Sequence, residues 1–367
     1  MIIIATQCFG PDVGGIEAVM TGLADELSRS GRELTVFADR IRTPGAVEPL
    51  RSYPVRRFAL WRPLRRPAKR AAIAQAARRI AVAGAFADSW KSVSALPQGV
   101  GPITVLAHGS EFPATANIWK AWRINRAFRR CAAIVASSHF TAQRLEPYLD
   151  GVAAKIEVVN PPIPQLPEAR EAALADMDAL IVGRRPVLAT LARLEPRKGI
   201  DAVLRGLPSL RAKHPRLIYF VAGAGADLAR LKQMTRHLLL ETCVFFLGEV
   251  TDPQVKAALL TRSDLHVMPS RRVGNSVEGF GISYAEAGWY GVPSVAGANG
   301  GAGDAVIDGV TGAICRGDDD QDVLRAISRL LEAPDQARAM GVAAAELARA
   351  KMTWDVALPR YVATLAR

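Results

Sequence analysis

A chain of 367 residues is long for one domain and sufficient for two of about 150–200 residues, each with its own core. Half of the residues are hydrophobic, yet no uninterrupted apolar run approaches the roughly 20 residues a bilayer-spanning helix requires, which excludes a helical integral membrane protein. The formal net charge of +12 is uneven: residues 1–160 hold 22 Lys and Arg against 12 Asp and Glu, whereas residues 161–367 hold 25 against 23.

The opening segment, MIIIATQCFGPDVGG, lacks the basic and long apolar stretches of a signal peptide and reads as a β-strand, so a cytoplasmic location is expected. A helix over IEAVMTGLADELSRSG and a strand over ELTVFADR follow. Residues 55–80, VRRFALWRPLRRPAKRAAIAQAARRI, carry nine cations and no acid, interleaved with Phe58, Leu60, Trp61 and Leu64. After the strand ITVLAHG comes a second basic and aromatic segment, IWKAWRINRAFRR (118–130), with Trp119, Trp122 and Phe128. Basic side chains flanking Trp and Phe suit the headgroup boundary of an anionic membrane. A solvated helix face is the plain alternative, and no nucleic-acid partner is expected.

AAIVASS with the helix FTAQRLEPYL, then KIEVVNPP, complete the first half. The proline cluster NPPIPQLPEAR interrupts the pattern and reads as a linker. Beyond it stand PVLATLAR, the helix DAVLRGLPSLRAKHP, LIYFVAGAG, CVFFLGEV, DLHVMPS, PSVAGANGG and TGAICRGD. Recurring strand and helix predict parallel sheets, hence two Rossmann-like doubly wound α/β domains facing each other across a cleft. The expected boundaries are 1–163, a linker at 164–184, a second domain at 185–350, and a closing segment at 351–367 that packs back on the first domain with Trp354, Val356 and Leu358 inside. Cys8, Cys131, Cys243 and Cys315 are scattered without CxxC pairing, so neither a zinc site nor a disulfide framework is indicated.

In open parallel sheets ligands bind beyond the C-terminal ends of the strands. The loop CFGPDVGGIEA offers Gly14 and Gly15 for a backbone-lined anion pocket, without the GxGxxG spacing of a dinucleotide fingerprint. LARLEPRKGID places Arg193 and Lys198 where two cations can clamp a diphosphate without metal, an exposed ion pair being the bland alternative. VEGFGISYAEA brackets Phe280 with Gly279 and Gly281, opens a helix at Ile282 and Ser283, and sets Glu278 and Glu286 eight apart. Such a helix N-terminus favours a phosphate, and the two acids can accept hydrogen bonds from sugar hydroxyls. AGANGGAGDAV adds Gly297, Gly300, Gly301 and Asp304 as a further glycine loop, and His108 ends the strand of LAHGSEF. Asp318 and Asp320 match a metal-binding DxD on paper but precede a helix and are read as its cap.

Together these residues resemble glycosyltransferase family 4, retaining enzymes of GT-B fold, through the E-x7-E motif Glu278-GFGISYA-Glu286 and the R-x4-K pair Arg193 and Lys198. The segment from Val277 to Val306 looks closest to mannosyltransferases that modify inositol lipids, with Trp289-Tyr290 in place of small residues. The resemblance implies catalytic roles for Arg193, Lys198, Glu278 and His108. It implies donor contacts at Gly14, Gly15, Glu249, Val250, Phe280, Gly281, Ile282, Ser283 and Glu286. It further implies an N-terminal acceptor domain, a C-terminal nucleotide-sugar domain, no metal or other cofactor, and transfer of a hexose from a GDP-mannose or UDP-glucose type of donor. The acceptor would be a glycolipid or polysaccharide at an anionic membrane surface, the protein being peripheral at the inner face. A nucleotide-sugar epimerase of the same architecture and a non-catalytic nucleotide- or lipid-binding protein are the alternatives.

Overall fold

The computed structural model describes all residues except 110, 114–116 and 367, and excludes the side chain of Arg62. In chain order the elements begin with β1 (Ile2–Thr6), α1 (Gly15–Arg29), β2 (Leu34–Asp39), β3 (Val55–Phe58), α2 (Arg62–Ala77) and β4 (Gly84–Ala87). Next come α3 (Trp90–Val93), β5 (Ile103–Ala107), α4 (Ile118–Phe128), β6 (Ala133–Ala136), α5 (His139–Leu145) and β7 (Lys155–Val158). The second half holds α6 (Glu171–Ile181), β8 (Val187–Leu191), α7 (Ile200–Lys213), β9 (Ile218–Ala222), α8 (Leu228–His237), β10 (Val244–Gly248) and α9 (Pro253–Arg262). It continues with β11 (Leu265–Met268), α10 (Ile282–Trp289), β12 (Ser294–Gly297), β13 (Gly312–Cys315), α11 (Asp320–Glu332), α12 (Pro334–Lys351) and α13 (Trp354–Ala363).

The chain forms two compact units, Met1–Pro162 with Trp354–Arg367, and Ile163–Thr353. In the first, seven parallel strands run in the order β3-β2-β1-β4-β5-β6-β7. β1, β4, β5 and β6 are buried along their whole length, as a parallel sheet covered on both faces requires, and their apolar runs are accordingly unbroken. α13 closes this unit: Trp354 lies against Gly22 of α1, where a Cβ would stand 2.5 Å from the indole. Thr364 hydrogen-bonds Thr104 at 2.7 Å. The inward face of α13 is Trp354, Ala357 and Tyr361, spaced three and four residues apart, whereas Val356 is exposed, so the expected inward set is corrected by the helical period.

In the second unit six parallel strands run β10-β9-β8-β11-β12-β13. Residues 164–184 are not a free linker. They carry α6, whose Met177 and Ile181 join Val187, Phe220 and Leu259 in a buried cluster, because the apolar positions of EAALADMDALI gain more from burial than the prolines ahead of them lose. Each sheet reverses its winding at one place, between β1 and β4 in the first unit and between β8 and β11 in the second. The loops after those strands are where an open α/β sheet presents a ligand site.

Candidate active site

In the second unit the loop after β8 and the loop after β11 meet. Gly199, at φ 74°, lets the first loop pass so close to the second that a Cβ there would stand 2.1 Å from the carbonyl oxygen of Pro269. The Arg271 N–H donates to the Arg197 carbonyl at 2.8 Å and locks the two loops together. The side chains follow: Lys198 Nζ lies 2.5 Å and Arg197 Nη1 2.8 Å from the same oxygen, Glu278 Oε2. Glu278 is only 8% exposed. Burial pushes its carboxyl up, but the Lys198 ammonium and the Arg197 guanidinium outweigh burial and hold it below the ordinary carboxylate range. Arg197 Nε also donates to Glu195 at 2.8 Å, and Arg193, half-exposed on the same loop, has Nη1 3.8 Å from Glu195 Oε1. Three cations thus stand against two carboxylates, a positive excess suited to an anion.

The Glu278 backbone is held from behind by the glycine loop after β12. Gly301 donates to its carbonyl at 2.9 Å, and Gly300, at φ 124°, has no room for a Cβ beside that oxygen. Gly281, at φ 91°, caps α10 where a Cβ would meet the Tyr284 ring at 2.4 Å. Phe280 and Ile282 pack into the core beneath this turn with Met268 and Tyr284, and Ser283 Oγ lies 3.7 Å from Met268 Sδ. One turn into α10, Glu286 accepts from Lys256 Nζ of α9 at 2.7 Å. Glu249 and Val250 lie past the end of the edge strand β10: Glu249 is exposed, and Val250 packs against the α6 cluster. Beneath Lys198, His266 of β11 is fully buried, 3.2 Å from Ser294 Oγ and edge-on to Tyr284. Burial and the charge of Lys198 push its imidazole down to about 3, so it is neutral at physiological pH.

In the first unit the glycine loop after β1 is fixed by Asp88 at the end of β4. Its buried carboxylate accepts from the Gln7 N–H at 2.7 Å, the Cys8 N–H at 3.1 Å and Thr6 Oγ1 at 2.8 Å. Gly14 caps α1 and Gly15 opens it, both with some solvent access. His108 follows β5 directly, and its N–H donates to Glu111 Oε1 at 2.8 Å.

The basic segments divide into structural and surface parts. Arg65 and Lys69 are held by Asp39 at 2.7 and 2.8 Å, and Lys69 is buried, so these two cations, expected among the exposed set, serve the core instead. The side chain of Arg62 lies outside the described residues. Leu60, Trp61 and Leu64 at the start of α2, and Ile118, Trp119 and Trp122 on α4, are exposed. Burial and the charge of Arg123 push the Arg66 guanidinium down, and burial and the charge of Arg70 do the same to Arg130.

Sequence reasoning missed Arg197, Lys256, Asp88 and Glu111. Arg197 sits inside the very segment that was singled out, but its pairing with a residue 81 positions away follows only from β8 and β11 being neighbours. Asp319, rather than Asp318 or Asp320, caps α11 by accepting from Gln321 and Asp322, while Asp320 pairs with Arg205. Among the described residues no group of three or more His, Cys, Asp or Glu is arranged to hold a metal ion. Among the described residues no helix is long and apolar enough to cross a membrane.

Residues 176–347 match the model of glycosyl transferases group 1, and residues 13–165 that of glycosyltransferase family 4. The chain is 32% identical to a GDP-mannose-dependent alpha-(1-6)-phosphatidylinositol monomannoside mannosyltransferase of Mycolicibacterium smegmatis, over 96% of this chain and 95% of that one. It is 35% identical to the enzyme of the same description from Mycobacterium tuberculosis, over 47% of this chain and 46% of that one. A sucrose-phosphate synthase from Thermosynechococcus elongatus shares the fold, with a TM-score of 0.82 at 18% identity over 99% of this chain and 97% of that one. With its two parallel-sheet units and a family relationship that runs nearly from end to end, the chain belongs to glycosyltransferase family 4 and is a glycosyltransferase of GT-B fold.

Proposed function

We propose that this glycosyltransferase moves a mannosyl group from GDP-mannose to a glycolipid of the phosphatidylinositol mannoside type, with retention of configuration, without a metal, at the inner membrane face. The convergence of Lys198 and Arg197 on Glu278, beneath the N-terminus of α10 and at the switch point of the sheet, carries the reading. A leaving nucleoside diphosphate gains negative charge as the glycosidic bond breaks. Lys198, Arg193 and the free N–H groups of the first turn of α10 stabilise that charge in the place a metal would otherwise take. Glu278, oriented by its two cations, accepts from a hexose hydroxyl, and Glu286, tied to Lys256, accepts from the ribose. In a front-face substitution the departing phosphate oxygen takes the acceptor proton, so no strong base is needed.

The donor and acceptor come from the relative that matches nearly the whole chain, whose description names GDP-mannose and a phosphatidylinositol monomannoside. The exposed tryptophans and crowded arginines of α2 and α4 support docking on anionic lipid. Thermal unfolding with GDP-mannose, UDP-glucose and ADP-glucose tests the donor, because a ligand at a hundred times its Kd stabilises by about 2.7 kcal/mol. GDP-mannose should raise Tm most. A larger rise with UDP-glucose overturns the donor assignment, and product with an altered sugar but no new glycosidic bond would identify an epimerase.

A further inference from the structure

The chain passes from Lys198 through Gly199 into α7, and the first turn of that helix carries Asp201, a buried carboxylate. An acid in a first helical turn ordinarily sits in water beside the free N–H groups. Asp201 instead faces three guanidiniums: its Oδ2 accepts from Arg271 Nη2 at 2.8 Å, Arg205 Nη1 at 3.3 Å and Arg230 Nη1 at 3.4 Å. Burial pushes its carboxyl up, but these cations, Arg271 foremost, outweigh burial and hold it below the ordinary carboxylate range. Arg205 is also held through two hydrogen bonds by Asp320, and Arg230 through two by Asp227. Among the described residues Asp201 is the one carboxylate paired with Arg271. Three acids balance three cations, so this network has no spare charge for a ligand.

The pair of Asp201 and Arg271 acts on geometry. The Arg271 N–H donates to the Arg197 carbonyl at 2.8 Å while its guanidinium reaches Asp201, so one residue at the start of the loop after β11 grips the loop after β8 on both sides of Lys198. The same β11 loop carries Glu278 to the Lys198 ammonium at 2.5 Å. Asp201 is buried and the guanidinium that meets it is largely shielded, so neither can exchange its partner for water without a desolvation cost. We propose that Asp201 and Arg271 are positioning residues for the transfer reaction, a clasp that fixes the loop bearing Arg197 and Lys198 against the loop bearing Glu278. The role rests on the donor site proposed above, where Lys198 meets charge that develops only as the bond breaks. A displacement of about 1 Å there costs on the order of a hundredfold in rate and far less in donor binding.

Arg271→Gln is the primary variant, because Asp201 keeps Arg205 and Arg230 and its buried charge stays compensated; Asp201→Asn is its counterpart. Each should lower kcat for mannosyl transfer about tenfold or more while KM for GDP-mannose stays within about threefold. The double variant should be no slower than the slower single one, as two halves of one clasp require. Arg205→Gln, which removes a different partner of Asp201, should keep kcat within about twofold of the wild type. Labelling of lysines with acetic anhydride, followed by peptide mass spectrometry, reads the geometry without turnover. Relative to exposed Lys213, Lys198 should react about fivefold faster or more in Arg271→Gln and Asp201→Asn than in the wild type, with buried Lys69 of the first unit unchanged. Losses that multiply in the double variant, an equal loss of kcat in Arg205→Gln, or unchanged labelling of Lys198 would overturn the clasp. Faster Lys198 labelling in the variants, with no mannosyl transfer by the wild type, would instead support the clasp and fail the mannosyl reading.

Discussion

Without Lys198, the buried Glu278 keeps Arg197 as its cation, so the charge is not left bare. Lys198→Ala is therefore expected to cut kcat about a hundredfold. It should also cost about 1–3 kcal/mol of stability, less than the 3–5 kcal/mol of an uncompensated buried charge, or several degrees of Tm at about 2–4 °C per kcal/mol. Arg193→Ala, at a half-exposed side chain, should lose comparable activity with little change in Tm. An equal drop in Tm for both would make Arg193 a structural cation. His266 supplies a second test. Its imidazole is pushed down to about 3 from 6.5, so below pH 6.5 the unfolded chain takes up a proton that the folded chain refuses. Stability should fall with pH from there by about 1.4 kcal/mol per pH unit for that proton, and depressed Glu278 adds to the loss below its ordinary range. His266→Phe should flatten the slope of urea-unfolding free energy between pH 6 and 4, and an unchanged slope would contradict the assignment. Glu278 and Lys198 were legible because spacing within a loop survives folding. Arg197 and Lys256 were not, because in a chain this rich in cations a partner is chosen by which elements neighbour each other.

At the scale of elements, α2 and α4 carry the membrane reading. The apolar surface of Trp61, Leu64, Trp119 and Trp122 lies among Arg66, Arg70, Arg123 and Arg126, and each cation near an anionic bilayer contributes about 1 kcal/mol. Co-sedimentation with vesicles containing anionic lipid should be strong at low salt, fall as salt rises, and be abolished when Arg66, Arg70 and Arg123 are changed to Glu. Equal binding to neutral vesicles, or none to either, contradicts it. Arg65→Glu should instead lower Tm, since Arg65 is spent on Asp39. The two helices were visible in the sequence as charge and aromatic patterning, but the division between core and surface cations was not, because Arg65 and Lys69 differ from Arg66 and Arg70 only by which side of the helix meets β2. Two elements escaped pattern reading for a related reason: β3 (VRRF) looks like part of the basic run, and β4 (GAFA) is too short and small to show a period. α6 was hidden by the prolines ahead of it.

At the scale of the molecule, two parallel sheets were legible because buried parallel strands leave unbroken apolar runs, and the ligand loops followed from the rule that sites lie at strand ends. The strand orders were not written in those runs, since identical apolar strands can be wound in several orders. The orders matter because they bring the loop after β8 to the loop after β11, and so set Lys198 and Arg197 on Glu278. The central claim is that this cluster serves mannosyl transfer from GDP-mannose without a metal. Purified protein incubated in EDTA with GDP-[14C]mannose and phosphatidylinositol monomannoside in anionic vesicles should yield a dimannosylated lipid whose new linkage is sensitive to α-mannosidase. No labelled lipid under those conditions, with transfer appearing only on addition of manganese or only from a different nucleotide sugar, would contradict the account.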